Sequence, residues 1–540
     1  MNRIPRSMAG AALLLALLSL PVLAQRGEIN GRVVTEEGVG LPDVPVALWP
    51  AASSLPWVSN ANILRASTDE EGRFKFANVA PRAYLLMVFS YKGRVRPFAT
   101  EAERRIRDLV RVGDNVTVTL VRGGVITGRV TTANGDPMIG VWITPRLVRD
   151  PDGQPVSRDT NARMRLTDDR GVYRIYGLAP GSYTLSVRNA TSGATPSPYE
   201  GDVVTWYPSA TRDTAAEVAV ADGGEVTGID IRFRGEHGRA VSGRIASGGE
   251  AGATIALRSA ASGYELDLLF VRQGGPMSFA FHGVPDGEYE LIARNEGDEK
   301  TEAMAAPVRR VTVRGADVAG IELRLAPLAS VAGKVLLEAT PAKCDSPRAA
   351  RIEETALSLR RDPASPGGST QLMEILPAAE PNEKGEFTIR GLDPGKYTLQ
   401  LQPPDGTWRV KSIAGPGPVD LARTGVSLAA GQRLAGVAIT LVADGASLRG
   451  RVANASARLR VHLLPAEETA ADEALRYAET TTDDDGGFAF ASLAPGRYRL
   501  LARPIDVDAD RARLRKEAAA KEMNVELKPC QRMTGVTLAR

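Results

Sequence analysis

The sequence predicts an all-β protein built as five tandem antiparallel Greek-key β-sandwiches with short helical inserts. Three recurrences carry that reading. A Gly-Arg-Val-like strand start appears at Gly31, Gly128, Gly243, Gly333 and Gly450. A bend followed by a tyrosine recurs at Tyr84, Tyr183, Tyr289, Tyr397 and Tyr498, spaced 99, 106, 108 and 101 residues apart. Each copy then closes with alternating residues around a polar turn, as in Val311–Leu325, with a shorter version at Val110–Leu120. A period near 100 residues is that of a domain array, longer than the roughly 20–50 residues of a solenoid repeat. Period-two alternation broken by frequent turns marks sheets with one buried face.

Taken in order, residues 1–24 read as a signal peptide. Arg3 and Arg6 supply the positive start, Ala11 to Leu20 a short apolar run, and Val22-Leu23-Ala24 a small-residue cleavage site. The expected mature chain is secreted or periplasmic, with no membrane span after cleavage. The five repeats follow at 25–122, 123–235, 236–326, 327–443 and 444–540.

Within each repeat a polar hairpin follows the first strand. Copy two reads Thr167-Asp168-Asp169-Arg170-Gly171-Val172-Tyr173, then Leu178-Ala179-Pro180-Gly181-Ser182-Tyr183. Copy three departs most, with Asp286 where its relatives carry Pro and no acidic turn. Pro fixes φ and Gly permits the tight bend, so the five tyrosines read as structural, each hydroxyl expected to bond upstream backbone as in a tyrosine corner.

These motifs, across essentially all of the mature chain, resemble the carboxypeptidase regulatory-like domain of secreted bacterial proteins. That resemblance implies a transthyretin-like or Ig-like sandwich, overlapping the carbohydrate-binding-like fold, and names no ligand. Its catalytic neighbour in zinc carboxypeptidases has no counterpart here. The chain also departs from the related hydroxyisourate hydrolases, ending Thr537-Leu538-Ala539-Arg540.

Composition narrows the function further. The formal net charge of +3 is too small and too mixed for a nucleic-acid face. The basic run Arg511, Arg513, Arg515, Lys516 is flanked by acids at Asp506, Asp508, Asp510 and Glu517 and reads as a solvated helical insert. Three scattered histidines, His237, His282 and His462, lack ligand spacing, so no metal, cofactor or catalytic residue is assigned. The Asp-rich turns read as plain hairpin turns more readily than as Ca²⁺ loops. Cys344 and Cys530 read as two separate thiols in preference to one interdomain bridge, which the compartment would permit.

Loop aromatics remain as ligand candidates: Trp57, Tyr199, Trp206, Tyr207 and Trp408, whereas Trp49 and Trp142 fall on strands. A sugar ring stacks its CH face on such rings. The expectation is a secreted non-catalytic binding array for polysaccharide or another surface polymer. The alternative is a structural stalk or protein-assembly module, with surface proteins as partners. In a linear row, units roughly 34 Å across would extend on the order of 170 Å.

Overall fold

The computed structural model of the protein describes residues 26–52, 63–97, 108–156, 164–188, 199, 201–247, 252–271, 277–297, 301–338, 340–345, 349–365, 369–370, 377–455, 458–467, 474–483, 485–505, 510–521 and 523–539. The signal-peptide residues and Trp57 lie outside them.

Five separate apolar cores form, one per repeat, each walled by two small sheets. In the first unit, strand Gly27–Val34 lies between Arg73–Val79 and Asn115–Thr119. The facing sheet runs Leu64–Ser67, Pro45–Pro50, Tyr84–Val88, Leu109–Val110. The same order recurs in the fifth unit, where Ala446–Val452 lies between Gly487–Leu493 and Arg532–Leu538.

In one respect the sheets differ from the antiparallel expectation. The first strand of every unit pairs antiparallel with the hairpin strand but parallel with the closing segment, as Val335 beside Ile439 shows in the fourth. The chain crosses from one sheet to the other between those two strands, and so returns in the same direction.

The repeated glycine follows from this crossing. Gly31, Gly128, Gly243, Gly333 and Gly450 sit opposite Phe74, Tyr173, Phe279, Phe387 and Phe488 on the antiparallel ladder. A Cβ at any of the five would come within 1.9–2.4 Å of a carbonyl oxygen of the closing segment. The aromatic ring and the parallel backbone therefore occupy the space a side chain would need.

The tyrosines form the expected corner in all five copies. Each hydroxyl donates to the carbonyl four residues upstream: Tyr84 to Ala80 at 3.1 Å, Tyr183 to Ala179 at 2.7 Å, Tyr289 to Pro285 at 2.8 Å, Tyr397 to Asp393 at 2.8 Å and Tyr498 to Ala494 at 2.5 Å. Burial raises the Tyr84 and Tyr289 hydroxyls to about 12.

The acidic turns serve their own backbone. Asp168 Oδ1 accepts from the Arg170 and Val172 amides, and Asp483 Oδ1 from those of Asp485 and Gly487. The helical insert is Arg511–Lys521, and Leu514 and Ala518, one turn apart, press onto Leu464 and Leu501. Glu517 there pairs with Arg513 and Arg503.

Cys344 and Cys530 form a disulfide joining the fourth and fifth units, which corrects the expectation of separate thiols. The parallel pairing of Ala446–Val452 with Arg532–Leu538 carries Cys530 to the start of the last strand. There its amide donates to Asp444, the residue that links the two units, at 3.2 Å.

Candidate functional site

Every junction between consecutive units carries the same backbone contact. Five residues before each Gly-Arg-Val glycine, an amide donates into the preceding unit: Gly123 to Gly93, Gly238 to Gly201, Leu328 to Ala303 and Gly445 to Thr407, at 2.8–2.9 Å. The acceptors lie in the segments that follow the tyrosine strands.

The bend of the incoming unit completes the seam. Six residues before each corner tyrosine stands a left-handed residue: Asn78, Gly177, Gly283, Gly391 and Ser492, with φ of 59°, 73°, 65°, 71° and 57°. A Cβ at Gly283 would lie 2.3 Å from Asp202 O, and one at Gly391 would lie 2.8 Å from an Arg294 nitrogen. Ser492 donates from its amide and hydroxyl to Gly406 and Asp405 of the fourth unit. The seams thus reuse the fold's own strained corner as a docking knob.

Two of the candidate aromatics, Trp206 and Trp408, lie beside these seams. Trp206 is 4% exposed, on the short strand Thr205–Trp206 against Ser186 and Val187. Its ring meets Tyr264 of the third unit edge-on, with centroids 5.4 Å apart. Arg146 and Arg212 lie 4.8 and 4.6 Å from the Tyr264 ring centre. Burial, and then the neighbouring Arg146, lower the pKa of Arg212. Trp206 is thus a buried ring at the second seam.

Tyr199 packs edge-on against Phe233, and Tyr207 packs on the second core. Trp408 is half-buried on the fourth core. It follows the loop whose Asp405, Gly406 and Thr407 contact the fifth unit, and next to it Arg409 grips Asp444 through two bonds of 2.7 and 2.9 Å. Trp49 and Trp142 lie on strands, as expected, each half-buried. The four described aromatic candidates do not converge on one site.

Two further contacts join units far apart in sequence. Arg111 of the first unit donates to Glu354 O at 3.0 Å and Pro403 O at 2.6 Å in the fourth. Beside it, Glu380 accepts the Ala52 amide at 3.1 Å and lies 2.9 Å from Arg82 Nε. Arg458 of the fifth unit reaches Asp152 of the second at 3.3 Å. The array therefore turns back on itself.

Among the described residues no cluster of His, Cys, Asp and Glu suits a metal ion. His462 is 1% exposed, with Nδ1 2.9 Å from the Tyr477 hydroxyl, which donates to Glu479 at 2.7 Å. Burial lowers His462 to about 4, keeping it neutral near pH 7. His237 contacts Asp202 at 2.6 Å beside the second seam, and His282 is exposed on its strand. No helix among the described residues is long and apolar enough to cross a membrane.

Neither the family models nor the curated proteins include a match to this chain. Among solved structures, the minor pilin GBS52 of Streptococcus agalactiae is 16% identical, covering 38% of this chain and 95% of its own at a TM-score of 0.21. A shaft pilin SpaA mutant of Lactobacillus rhamnosus GG is 13% identical, covering 39% and 98% at 0.18. The major pilin BcpA of Bacillus cereus is 9% identical, covering 56% and 99% at 0.14. Similarity at this level marks neither a common family nor a common arrangement of units.

Proposed function

We propose that this protein is a secreted, non-catalytic structural module of the bacterial surface, working through protein contacts as a closed scaffold of five sandwiches. Its units are those bounded at 25–122, 123–235, 236–326, 327–443 and 444–540. The observation that carries the reading is where the loop aromatics go: Trp206 is closed in the second seam and Trp408 packs beside the fourth. A polymer-binding array needs open rings, whereas a scaffold needs them as packing between units. The Cys344–Cys530 bridge suits an oxidising compartment.

The test has two arms. Crosslinking in the native envelope is expected to join the chain repeatedly to the same protein neighbour. Affinity electrophoresis through gels holding plant and microbial polysaccharides is expected to show no retardation. Retardation by one polymer, lost in a folded Trp408→Ala variant, would replace the scaffold with the polymer-binding reading.

A further inference from the structure

The contact between the first and fourth units buries a carboxyl group. Glu380 follows the short strand Ala378–Ala379, and its side chain is 4% exposed. Oε1 accepts the Ala52 amide, whereas Oε2 has no hydrogen bond. Arg82 Nε stands 2.9 Å from Oε2, so the two make an ion contact without hydrogen-bond alignment. A carboxylate held this way loses more solvation than it regains; a neutral carboxyl keeps the Ala52 bond and avoids that loss.

We propose that Glu380 is a proton-operated clasp: protonated, it holds the first unit on the fourth, and ionised, it loosens that docking. The proposal adds regulation to the closed scaffold and rests on that arrangement.

The surrounding charges agree in sign. Arg82 is the charged side chain that acts on Glu380, opposing its burial, with help from the Ala51 and Ala52 amides. Arg26 and Tyr84 of the first unit share the Arg82 environment. Arg111 directs its guanidinium at the Glu354 and Pro403 carbonyls. On the fourth unit, Glu383, Lys384 and Glu386 stand exposed on the hairpin beyond Pro381. Burial, the largest influence, raises the docked Glu380 from 4.5 to about 6. The docked state thus binds the proton more tightly than the released state. Docking is strongest below pH 4.5 and weakens as pH rises through 6. That displacement corresponds to about a 30-fold change in the docking equilibrium.

Hydrogen exchange on the full mature chain reads this equilibrium at the Ala52 amide, with the Leu48 amide in the first core as internal control. After correction for intrinsic exchange, Ala52 protection is expected to fall about 15-fold from pH 4.5 to 7.5, since pH 4.5 already half-protonates the released carboxyl. In Glu380→Gln, which keeps an acceptor and cannot ionise, it is expected to stay flat and high. In Arg82→Ala, protection should hold at pH 4.5 and drop below wild type at pH 7.5. Wild-type protection that is substantial but independent of pH would overturn the clasp alone, as would an Arg82→Ala loss equal at both pH values. An Ala52 amide unprotected at every pH would overturn the closed scaffold with it.

Discussion

The four serial seams share an element that the seam closing the array lacks. Each serial seam carries a backbone bond at a fixed place in the repeat, five residues ahead of the first-strand glycine, and adds side chains of its own, such as Arg294 on Gly391 O and Arg409 on Asp444. Among the described residues the closing seam has no such fixed backbone bond and rests on the side chains Arg82, Arg111 and Glu380. Backbone contacts keep their geometry through most substitutions, and amides and carbonyls do not titrate. A buried carboxylate responds to both mutation and pH. The chain order of the units is thereby built in, while their closure is adjustable.

The largest expected effect tests the serial side. Trp206→Ala removes a buried ring that fills the second seam and packs on Tyr264. A loss of about 3–5 kcal/mol is expected for the second unit, together with independent melting of the second and third. Calorimetry checks both. A single undisturbed transition would mean that the Gly238–Gly201 bond and its neighbours hold the seam without the ring.

Acid should act oppositely on two parts of the molecule. His462 is buried neutral in the fifth unit, with its folded value near 4 against 6.5 in the open chain. As pH falls through that window, the unfolded chain takes up a proton that the folded unit refuses. The fifth unit should therefore lose about 2–3 kcal/mol by pH 4.5, where the closing seam is tightest. Urea titrations at pH 7.5 and 4.5, with and without His462→Gln, separate this from general acid effects. A wild-type loss that persists unchanged in His462→Gln would assign the acid sensitivity elsewhere.

How far these features are legible in the sequence depends on the same distinction. The corner tyrosines, the first-strand glycines and the hairpin turns are repeated, so their physical role can be read from the recurrence. The serial seam was also written there, in the residue five ahead of each glycine. It varies between Gly and Leu, because a backbone donor leaves little trace in side-chain identity. The parallel last strand left no signal, since its alternation is that of any half-buried strand. Trp206 looked like an exposed loop ring because the sequence does not reveal that Tyr264 of the next unit packs against it. Two cysteines 186 residues apart gave no spacing to read, until the last strand returned beside the first of the fifth unit. Glu380, one acid among 64, carries no mark at all; its burial depends on units brought together across more than 300 residues.

The smallest effect decides how closure is shared. Arg458 and Asp152 meet at 3.3 Å between the fifth and second units, both side chains 23% exposed. A partly hydrated ion pair of this kind contributes below about 1 kcal/mol, and less in high salt. Arg111, by contrast, donates to two backbone carbonyls of the fourth unit. Arg458→Ala should therefore leave the scattering profile of the full chain unchanged at 0.15 M salt, a concentration at which screening acts over about 8 Å. Arg111→Ala should expand it. If Arg458→Ala alone expands the molecule, the array is held closed by the fifth unit, and the first-to-fourth contact is a consequence of closure instead of its cause.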